Sequence, residues 1–288
     1  MISATRSQES WGERSLNARA PTHTVKRAIE TIGDVVSSHL CSGCGACVSH
    51  CKKQAATLCH DEESGIRPLI DEERCGDCRE CLSFCPGAYL DYRSLNAENI
   101  GTYHEFLGPY LEIYEGYARD GDIRYNASSG GALTALSLFC LEEKRADFVL
   151  HTGMDRAEPW RNKTVQSRSR RDLLEHTGSR YAPSSPCDSL GLIRECSGAS
   201  VFIGKPCDAA AVYSLRRTDA ALDEKLALVL SFFCAGPPFT QATLGLLRRE
   251  GIDRGSVTAI RYRGFGWPGM FSVSGKDGKP VTSLTYRE

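Results

Sequence analysis

Eight cysteines stand in two copies of one spacing: Cys41, Cys44, Cys47 and Cys51, then Cys75, Cys78, Cys81 and Cys85, each 34 residues after its counterpart. Four equal offsets make C-x-x-C-x-x-C-x-x-x-C an internal repeat. A [4Fe–4S] cube takes four thiolates at the corners of a tetrahedron, and C-x-x-C-x-x-C supplies three of them while backbone N–H groups turn towards the sulfides. In the bacterial two-cluster arrangement the fourth cysteine serves the other cluster. The expected ligand sets are therefore Cys41, Cys44, Cys47 with Cys85, and Cys75, Cys78, Cys81 with Cys51. Gly43, Gly45 and Gly76 suit loops folded tightly round a cube. The second motif ends Cys85-Pro86, but the first ends Cys51-Lys52, and a lysine there should favour the more negative reduced cluster and raise its potential. Paired C-x-x-C motifs also bind zinc, and metal with acid-labile sulfide separates the two readings. Cys59 falls outside the repeat and reads as a small buried hydrophobe; His50 and His60 have no missing cysteine to replace.

Of 14 cysteines in 288 residues, nine lie between Cys41 and Cys85. The start of the chain is polar with no apolar leader, and no apolar run approaches the roughly 18 residues of a membrane span. The expected compartment is therefore the reducing cytoplasm, where clustered cysteines are metal ligands and disulfides are few or absent. The composition, 41% hydrophobic and 25% charged, is that of an ordinary globular protein, and a net charge of -1 argues against a nucleic-acid partner.

Elements that must position the cysteines follow from apolar periodicity. Residues 1–24 read as a flexible leader. Val25, Ala28, Ile29, Ile32, Val35, Val36 and Leu40 form one helical stripe that packs on the cysteine module, and short strands follow the first motif and precede the second. Residues 25–93 thus form a ferredoxin-like α+β module, and residues 94–110 a polar linker. Over residues 111–288 strands and helices alternate: strands at 111–118, 148–150, 201–203, 226–233 and 257–262, helices at 131–144, 208–217 and 240–249. The helix at 131–144 should turn Leu133, Leu136, Phe139 and Cys140 to one side, and residues 156–171 read as a solvated loop. This alternation predicts an α/β domain with a mainly parallel sheet.

Two loops in that domain have the chemistry of ligand sites. Ser128, Ser129, Gly130 and Gly131 precede a helix, where hydroxyls and unpaired N–H groups form an anion site suited to a phosphate or pyrophosphate; a helix cap without ligand uses the same residues. Gly204-Lys205-Pro206-Cys207-Asp208 follows a buried strand at the carboxyl edge, where open α/β sheets bind ligands, and Lys205 could neutralise a phosphate or an anionic flavin. Cys207 and Cys234 follow successive strands and could ligate a further cluster, face a flavin, or remain inert buried thiols. Tyr181, His176 and Lys205 are candidates for proton transfer by position only, so no catalytic residue is assigned.

Taken in order, the two cysteine motifs, Tyr125 to Gly131, Gly178-Ser179-Arg180-Tyr181, Gly204-Lys205-Pro206-Cys207, Phe233-Cys234-Ala235-Gly236 and Tyr262 to Gly269 resemble the family of coenzyme F-420 hydrogenase/dehydrogenase beta subunits, which are iron–sulfur flavoproteins. The resemblance implies two [4Fe–4S] clusters, FAD held by the α/β domain near Ser128, Ser129, Gly130, Gly131, Ser179, Lys205 and Cys207, and a redox partner protein or subunit. It also implies hydride exchange with a small organic molecule such as a deazaflavin; relatives include a chlorophyll-cycle reductase. The family's Gly-Thr-Pro-Cys-Gln is here Gly204-Lys205-Pro206-Cys207-Asp208, which places two charges where the family has neutral groups. Family members run on considerably further with additional cysteines, so the chain is expected to be truncated at its C-terminus. The rival functions are a non-catalytic electron-relay subunit, without flavin, and a zinc-stabilised interaction protein.

Overall fold

The structure, a computed structural model, describes residues 2–6, 29–90, 102–104 and 108–285. Strand β1 (Ile2–Arg6) opens the chain. Helix α1 (Ile32–Ser37) starts at Thr31, whose hydroxyl accepts the Asp34 N–H at 3.1 Å while the Asp34 carboxylate accepts the Thr31 N–H at 2.9 Å. That reciprocal cap satisfies two otherwise orphaned donors. After α2 (Ala46–His50), strands β2 (Ala56–Asp61) and β3 (Gly65–Ile70) form an antiparallel hairpin, and α3 (Glu72–Cys75) leads into the second cysteine loop. Strands β4 (Thr102–His104) and β5 (Gly108–Tyr110) form a small hairpin within the segment expected to be linker. Strand β6 (Tyr114–Ala118) pairs antiparallel with β1, so residues 2–6 are a sheet strand and not part of a flexible leader. The rest of that leader, and the first turn of the expected helix, lie outside the described residues.

Helices α4 (Gly121–Asn126) and α5 (Ala132–Glu142) precede β7 (Phe148–Met154) and β8 (Asn162–Ser167). They are followed by α6 (Arg170–Glu175), α7 (Gly191–Arg194), β9 (Ser200–Gly204), α8 (Pro206–Arg216), α9 (Ala220–Lys225), β10 (Leu226–Ser231) and α10 (Thr240–Arg249). Strands β10, β9 and β7 are parallel neighbours, and β8 closes the edge antiparallel to β7. Residues 156–171, expected as a loop, thus hold an edge strand and the start of a helix. The strand expected at 257–262 is β11 (Ala259–Arg261). It does not extend the parallel sheet but pairs antiparallel with β12 (Met270–Ser274), itself paired with β13 (Pro280–Thr285).

Consecutive strand residues face opposite sides of a sheet, so the wholly buried run Phe148, Val149, Leu150 requires cover on both. On one face Phe148, Leu150 and Phe202 meet Ala211, Val212 and Leu215 of α8, and the same core takes in Cys44, Ala46 and Phe84 of the cysteine module. On the other, Val149 and Val201 meet Ile123 of α4, Leu138 and Cys140 of α5 and Leu173 of α6. A third core under the antiparallel sheet joins Trp160, Ala182, Leu244, Leu247, Ile260, Tyr262 and Val273. In α5 the buried residues are Ser137, Leu138 and Cys140, whereas Phe139 is 42% exposed and lies under the Arg145 guanidinium. The expected stripe is thus rotated, with Ser137 and Leu138 facing inward in place of Phe139.

Phe202→Ala should lower unfolding free energy by about 3–5 kcal/mol, and Phe139→Ala by about 0.5 kcal/mol or less, as read from urea-unfolding curves. Equal costs would mean that the buried face of the sheet is misassigned.

Candidate functional site

The two cysteine loops wind alike. Gly43 and Gly45 have φ of 69° and 86°, and the residues 34 positions on, Asp77 and Arg79, have φ of 50° and 60°. All four are left-handed, a conformation uncommon outside glycine. The repeat in spacing is therefore also a repeat in backbone shape. In the first loop glycine is required twice over: a Cβ on Gly43 would meet the Ile66 carbonyl oxygen at 2.6 Å, and one on Gly45 the Asp188 nitrogen at 2.9 Å.

Within the loops the thiols crowd. Burial raises the pKa of Cys47 first, and the neighbouring thiols of Cys44, Cys41, Cys85 and Cys81 add to it. Burial likewise pushes Cys85 up, with Cys44 and Cys41 as its thiol neighbours, and pushes Cys81 up to about 11, beside Cys78, Cys75 and Cys85. Cys85 is thus within electrostatic reach of Cys41, Cys44 and Cys47 and of Cys81 as well. Backbone N–H groups offset part of the repulsion: Gly43 donates to Cys41, Ala46 to Cys44, and Gly87 and Ala88 to Cys85.

Cys51 shows no equivalent grouping. Its sulfur accepts the Ala55 N–H at 3.3 Å. The chain just beyond it reaches the second loop through the Lys53 ammonium, which donates to the Cys75 carbonyl at 2.8 Å. Lys52 is largely exposed, with its ammonium 3.6 Å from Glu80, so its charge is partly neutralised and screened, and its expected effect on potential shrinks. Among the described residues, no three His, Cys, Asp or Glu side chains form a group that could hold a metal ion. A cube is a wider body with one thiolate at each corner, so its fit is judged on the donor set. Buried, mutually repelling thiols with N–H groups aimed at them suit a multiply charged cationic core, because ligation needs the thiolates and metal charge reverses the local pKa order. All fourteen cysteines are free thiols.

The α/β domain grips the first loop directly. The Ser185 hydroxyl donates to the Gly43 carbonyl at 2.5 Å, the Cys187 N–H to the Cys44 carbonyl at 3.1 Å, and Arg194 to the Ser49 carbonyl at 3.1 Å. Lys205 is here, not at a phosphate site. It is 5% exposed, and its ammonium donates to Asp208 at 2.9 Å and to the carbonyl and hydroxyl of Ser184 at 2.8 and 3.1 Å. Burial pulls the Lys205 pKa down, but the Asp208 and Cys207 side chains outweigh it and the ammonium is retained. With its donors engaged inside the protein, Lys205 has none left for a flavin phosphate. Cys207 also faces the first loop: burial raises its pKa to about 11, opposed by Lys205 and a hydrogen bond with Ser42. Cys234 is exposed and accepts the Gly236 N–H at 3.3 Å.

The other residues expected at a cofactor come together elsewhere, where three loops meet. The Gly266 N–H donates to the Tyr125 carbonyl at 2.9 Å, Arg261 donates to the Asn126 carbonyl, and the Ser179 N–H donates to the Ser128 hydroxyl. Between them opens a cleft of about 430 Å³ lined by Tyr117, Arg124, Tyr125, Ser129, Gly130 and Trp267. Ser128 and Gly131 do not line it. Ser128 is buried and engaged with Ser179, and Gly131 is a packing position where a Cβ would meet Ile123 at 2.9 Å. A second cleft of about 250 Å³ holds His176, Ser179, Arg180, Arg261, Tyr262 and Phe265. Arg180 anchors the loop between the clefts, donating to Asn162 at 2.5 Å and to the carbonyls of Ile260, Pro159 and Arg161 at 2.8, 2.7 and 3.1 Å. Sequence reasoning missed Cys187, Ser185 and the structural role of Arg180. The run Ser184-Ser185-Pro186-Cys187 was the available signal.

This is a mixed α/β protein with a cysteine module built into one face of its main sheet. Residues 113–190 match the family model "Coenzyme F420 hydrogenase/dehydrogenase, beta subunit N-term" and residues 199–288 its C-terminal counterpart. Together these cover more than half of the chain, which belongs to the family of coenzyme F420 hydrogenase/dehydrogenase beta subunits. It is 24% identical over 214 residues to a subunit of the F(420)H(2) dehydrogenase of Methanosarcina mazei, covering 70% of this chain and 55% of the relative. It is 32% identical over 79 residues to the beta subunit of the coenzyme F420 hydrogenase of Methanosarcina barkeri, covering 27% of each. The chain thus spans about half, or less, of the length of these relatives. A chain of the F420-reducing [NiFe] hydrogenase complex from Methanosarcina barkeri superposes with a TM-score of 0.45 and 22% identity over 59% of each chain. Among the described residues no helix is long and apolar enough to cross a membrane.

Beside the second cleft, His151 is buried, bonded through Nε2 to the Ser167 hydroxyl at 2.8 Å, with the His176 ring 5.6 Å away. Burial, then the His176 charge, lowers its pKa from 6.5 to about 4. A histidine with a depressed folded pKa leaves the unfolded chain to take the proton first, so its stabilisation is present above pH 6.5 and lost as pH falls towards 4. The folded protein should lose about 1.5 kcal/mol between pH 6.5 and 5 from this group, and His151→Gln should remove that part of the slope in urea titrations. An unchanged slope would mean that His151 is not the group responsible.

Proposed function

We propose that the chain is an electron-transfer subunit of a redox complex, holding two [4Fe–4S] clusters and FAD and exchanging hydride with an organic molecule such as a deazaflavin. The observation that supports the reading is the pair of cysteine loops of the same backbone shape, left-handed at Gly43 and Gly45 and again at Asp77 and Arg79, with Cys85 in electrostatic reach of thiols from both. Residues 25–93 would serve the clusters and residues 111–288 the flavin. The partner is another protein subunit, in keeping with the two relatives, which are both named as subunits.

When bound, the clusters supply one-electron steps and the flavin a two-electron hydride step. The chain's own residues set the conditions for both. The thiols of Cys41, Cys44, Cys47 and Cys85 must shed their protons to ligate, which the N–H donors of Gly43, Ala46, Gly87 and Ala88 favour. Phe84 and Ala46, buried beside them, exclude water. In the larger cleft Tyr117, Tyr125 and Trp267 offer aromatic faces to a planar ring, with the Arg124 guanidinium 4.1 Å above the Tyr117 ring. Ser129 and Gly130, just before the eleven-residue helix α5, suit the phosphate end of such a cofactor. A volume of about 430 Å³ falls in the usual range for small-molecule sites.

Anaerobically purified protein should carry about eight iron and eight acid-labile sulfide per chain and release about one FAD on acid treatment. Zinc without sulfide would end the cluster assignment, and clusters without flavin would leave a relay subunit. Trp267→Ala should reduce bound FAD severalfold while iron stays constant; equal flavin in both proteins would remove this cleft as the flavin site.

A further inference from the structure

The second cleft, of about 250 Å³, carries more positive charge than the protein itself balances. Alternate residues of a strand share one face of a sheet. Strands β11 and β12 pair with Arg261 opposite Ser272 and Ala259 opposite Ser274, so these four line the cleft together, while Ile260 and Val273 belong to the core. Ser179 and Arg180 join them from the loop between the clefts. Three arginines, Arg156, Arg180 and Arg261, line this space against one carboxylate, Glu175, and that carboxylate is already paired with Arg156. Arg180 and Arg261 are half-buried, and neither forms an ion pair among the described residues. The acceptors of Arg180 are the Asn162 amide oxygen and three backbone carbonyls, all uncharged, and its guanidinium carbon lies 5.2 Å from the centre of the Tyr262 ring. Arg261 lies 4.7 Å from the centre of the Phe265 ring and gives Nη2 to the Asn126 carbonyl; its Nε is buried without an acceptor, and its Nη1 has none among the described residues. Burial pulls the pKa of both guanidinium groups down, with no carboxylate to oppose it. Charges taken out of water are normally paired, because desolvation without a counter-charge is costly. The hydroxyls of Ser179, Ser272 and Ser274 likewise bond to no protein group among the described residues.

We infer that the second cleft binds an oxyanion, the phosphate or carboxylate of a small organic molecule, between the Arg261 guanidinium and the hydroxyls of Ser179, Ser272 and Ser274. An arginine supplies both charge and a planar set of donors matched to the oxygens of either group. The serines add donors without adding charge. Arg180 contributes its positive charge more than its donors, most of which are committed to the loop it anchors. The volume of about 250 Å³ lies below the roughly 300 Å³ at which sites for drug-sized molecules begin, so the cleft suits a small anion and not a flavin. The bonds from Arg261 to the Asn126 carbonyl and from the Ser179 N–H to Ser128 stand between this cleft and the larger aromatic one. The oxyanion therefore belongs to a ligand separate from whatever fills the larger cleft, and the inference needs neither the flavin nor the clusters.

The test is a calorimetric titration of the whole chain with inorganic phosphate and, separately, with oxalate, at an ionic strength held constant with chloride, before and after addition of FAD. Saturable binding of at least one of the two anions is expected. Arg261→Gln, which removes the charge, should weaken it about tenfold, and Ser272→Ala, which removes one neutral donor, about threefold; FAD should leave the affinity unchanged. No saturable binding of either anion, or equal affinity in the wild type and both variants, overturns the proposal. Displacement of the bound anion by FAD overturns it as well, because the cations would then serve the phosphates of the flavin itself. Should Arg261→Gln fail to fold, the combined Ser272→Ala and Ser274→Ala variant carries the test: weaker binding supports the site and unchanged binding removes it. Protein that binds phosphate but no FAD would refute the flavin reading and leave this one standing.

Discussion

Neighbouring thiols, one buried and three half-buried, oppose one another's ionisation, and the two loops around them are shaped by that constraint. Left alone, each of Cys41, Cys47 and Cys85 keeps its proton, because burial and the neighbouring sulfurs both oppose a thiolate. The protein supplies only partial compensation, in the form of N–H groups from loops turned left-handed at fixed places. Maintaining such an arrangement costs stability: Asp77 and Arg79 hold strained φ values without being glycine, each at a cost on the order of 1–3 kcal/mol. A positively charged core, if these thiols ligate one as proposed, would remove the conflict at its source.

The second consequence of the same arrangement is that the cysteine module is not an appendage. Cys44, Ala46 and Phe84 share a core with Phe148, Phe202 and Leu215 of the α/β sheet, and the Ser184 to Asp188 segment clasps the first loop. That segment begins only five residues after Ser179, whose N–H is bonded to Ser128 at the back of the aromatic cleft. One short stretch of chain thus touches both the cysteine centre and the loops that form the cleft. Its rigidity comes from Arg180, which commits its guanidinium donors to one amide oxygen and three backbone carbonyls. Any coupling between the two places has a direct covalent route through residues 179–187.

How much of this was legible in the sequence depends on the range of the interaction. The ligand spacing is local and periodic, so the repeat came from offsets alone, whereas the expectation that Cys85 joins the first trio needed the two-cluster ferredoxin pattern as well. The parallel strands at 148–150, 201–203 and 226–231 showed as apolar runs because both faces of their sheet are covered. Strand β8 did not, since Asn162 to Ser167 is a polar edge strand with little apolar pattern to detect. Strand β1 was hidden for another reason: its pairing with β6 joins residues more than a hundred positions apart, which no local window sees. Of the four residues expected around one phosphate, Ser129 and Gly130 line a cleft. Ser128 and Gly131 turn inward, because one hydroxyl is needed to receive the Ser179 N–H and the glycine has to admit Ile123.

Lys205 marks the limit of reading charge from a motif. In isolation, a lysine between a strand and a helix at the carboxyl edge of a sheet is a reasonable phosphate partner. The residue three places on decides otherwise: Asp208, on the first turn of α8, returns its carboxylate to both the Lys205 N–H at 2.7 Å and the ammonium at 2.9 Å. Lys205 and Asp208 therefore satisfy each other inside the protein instead of adding free charge to a binding surface. Removing either partner alone would leave an uncompensated buried ion, at about 3–5 kcal/mol. The pair lies within electrostatic reach of Cys44 and Cys187, which share one core.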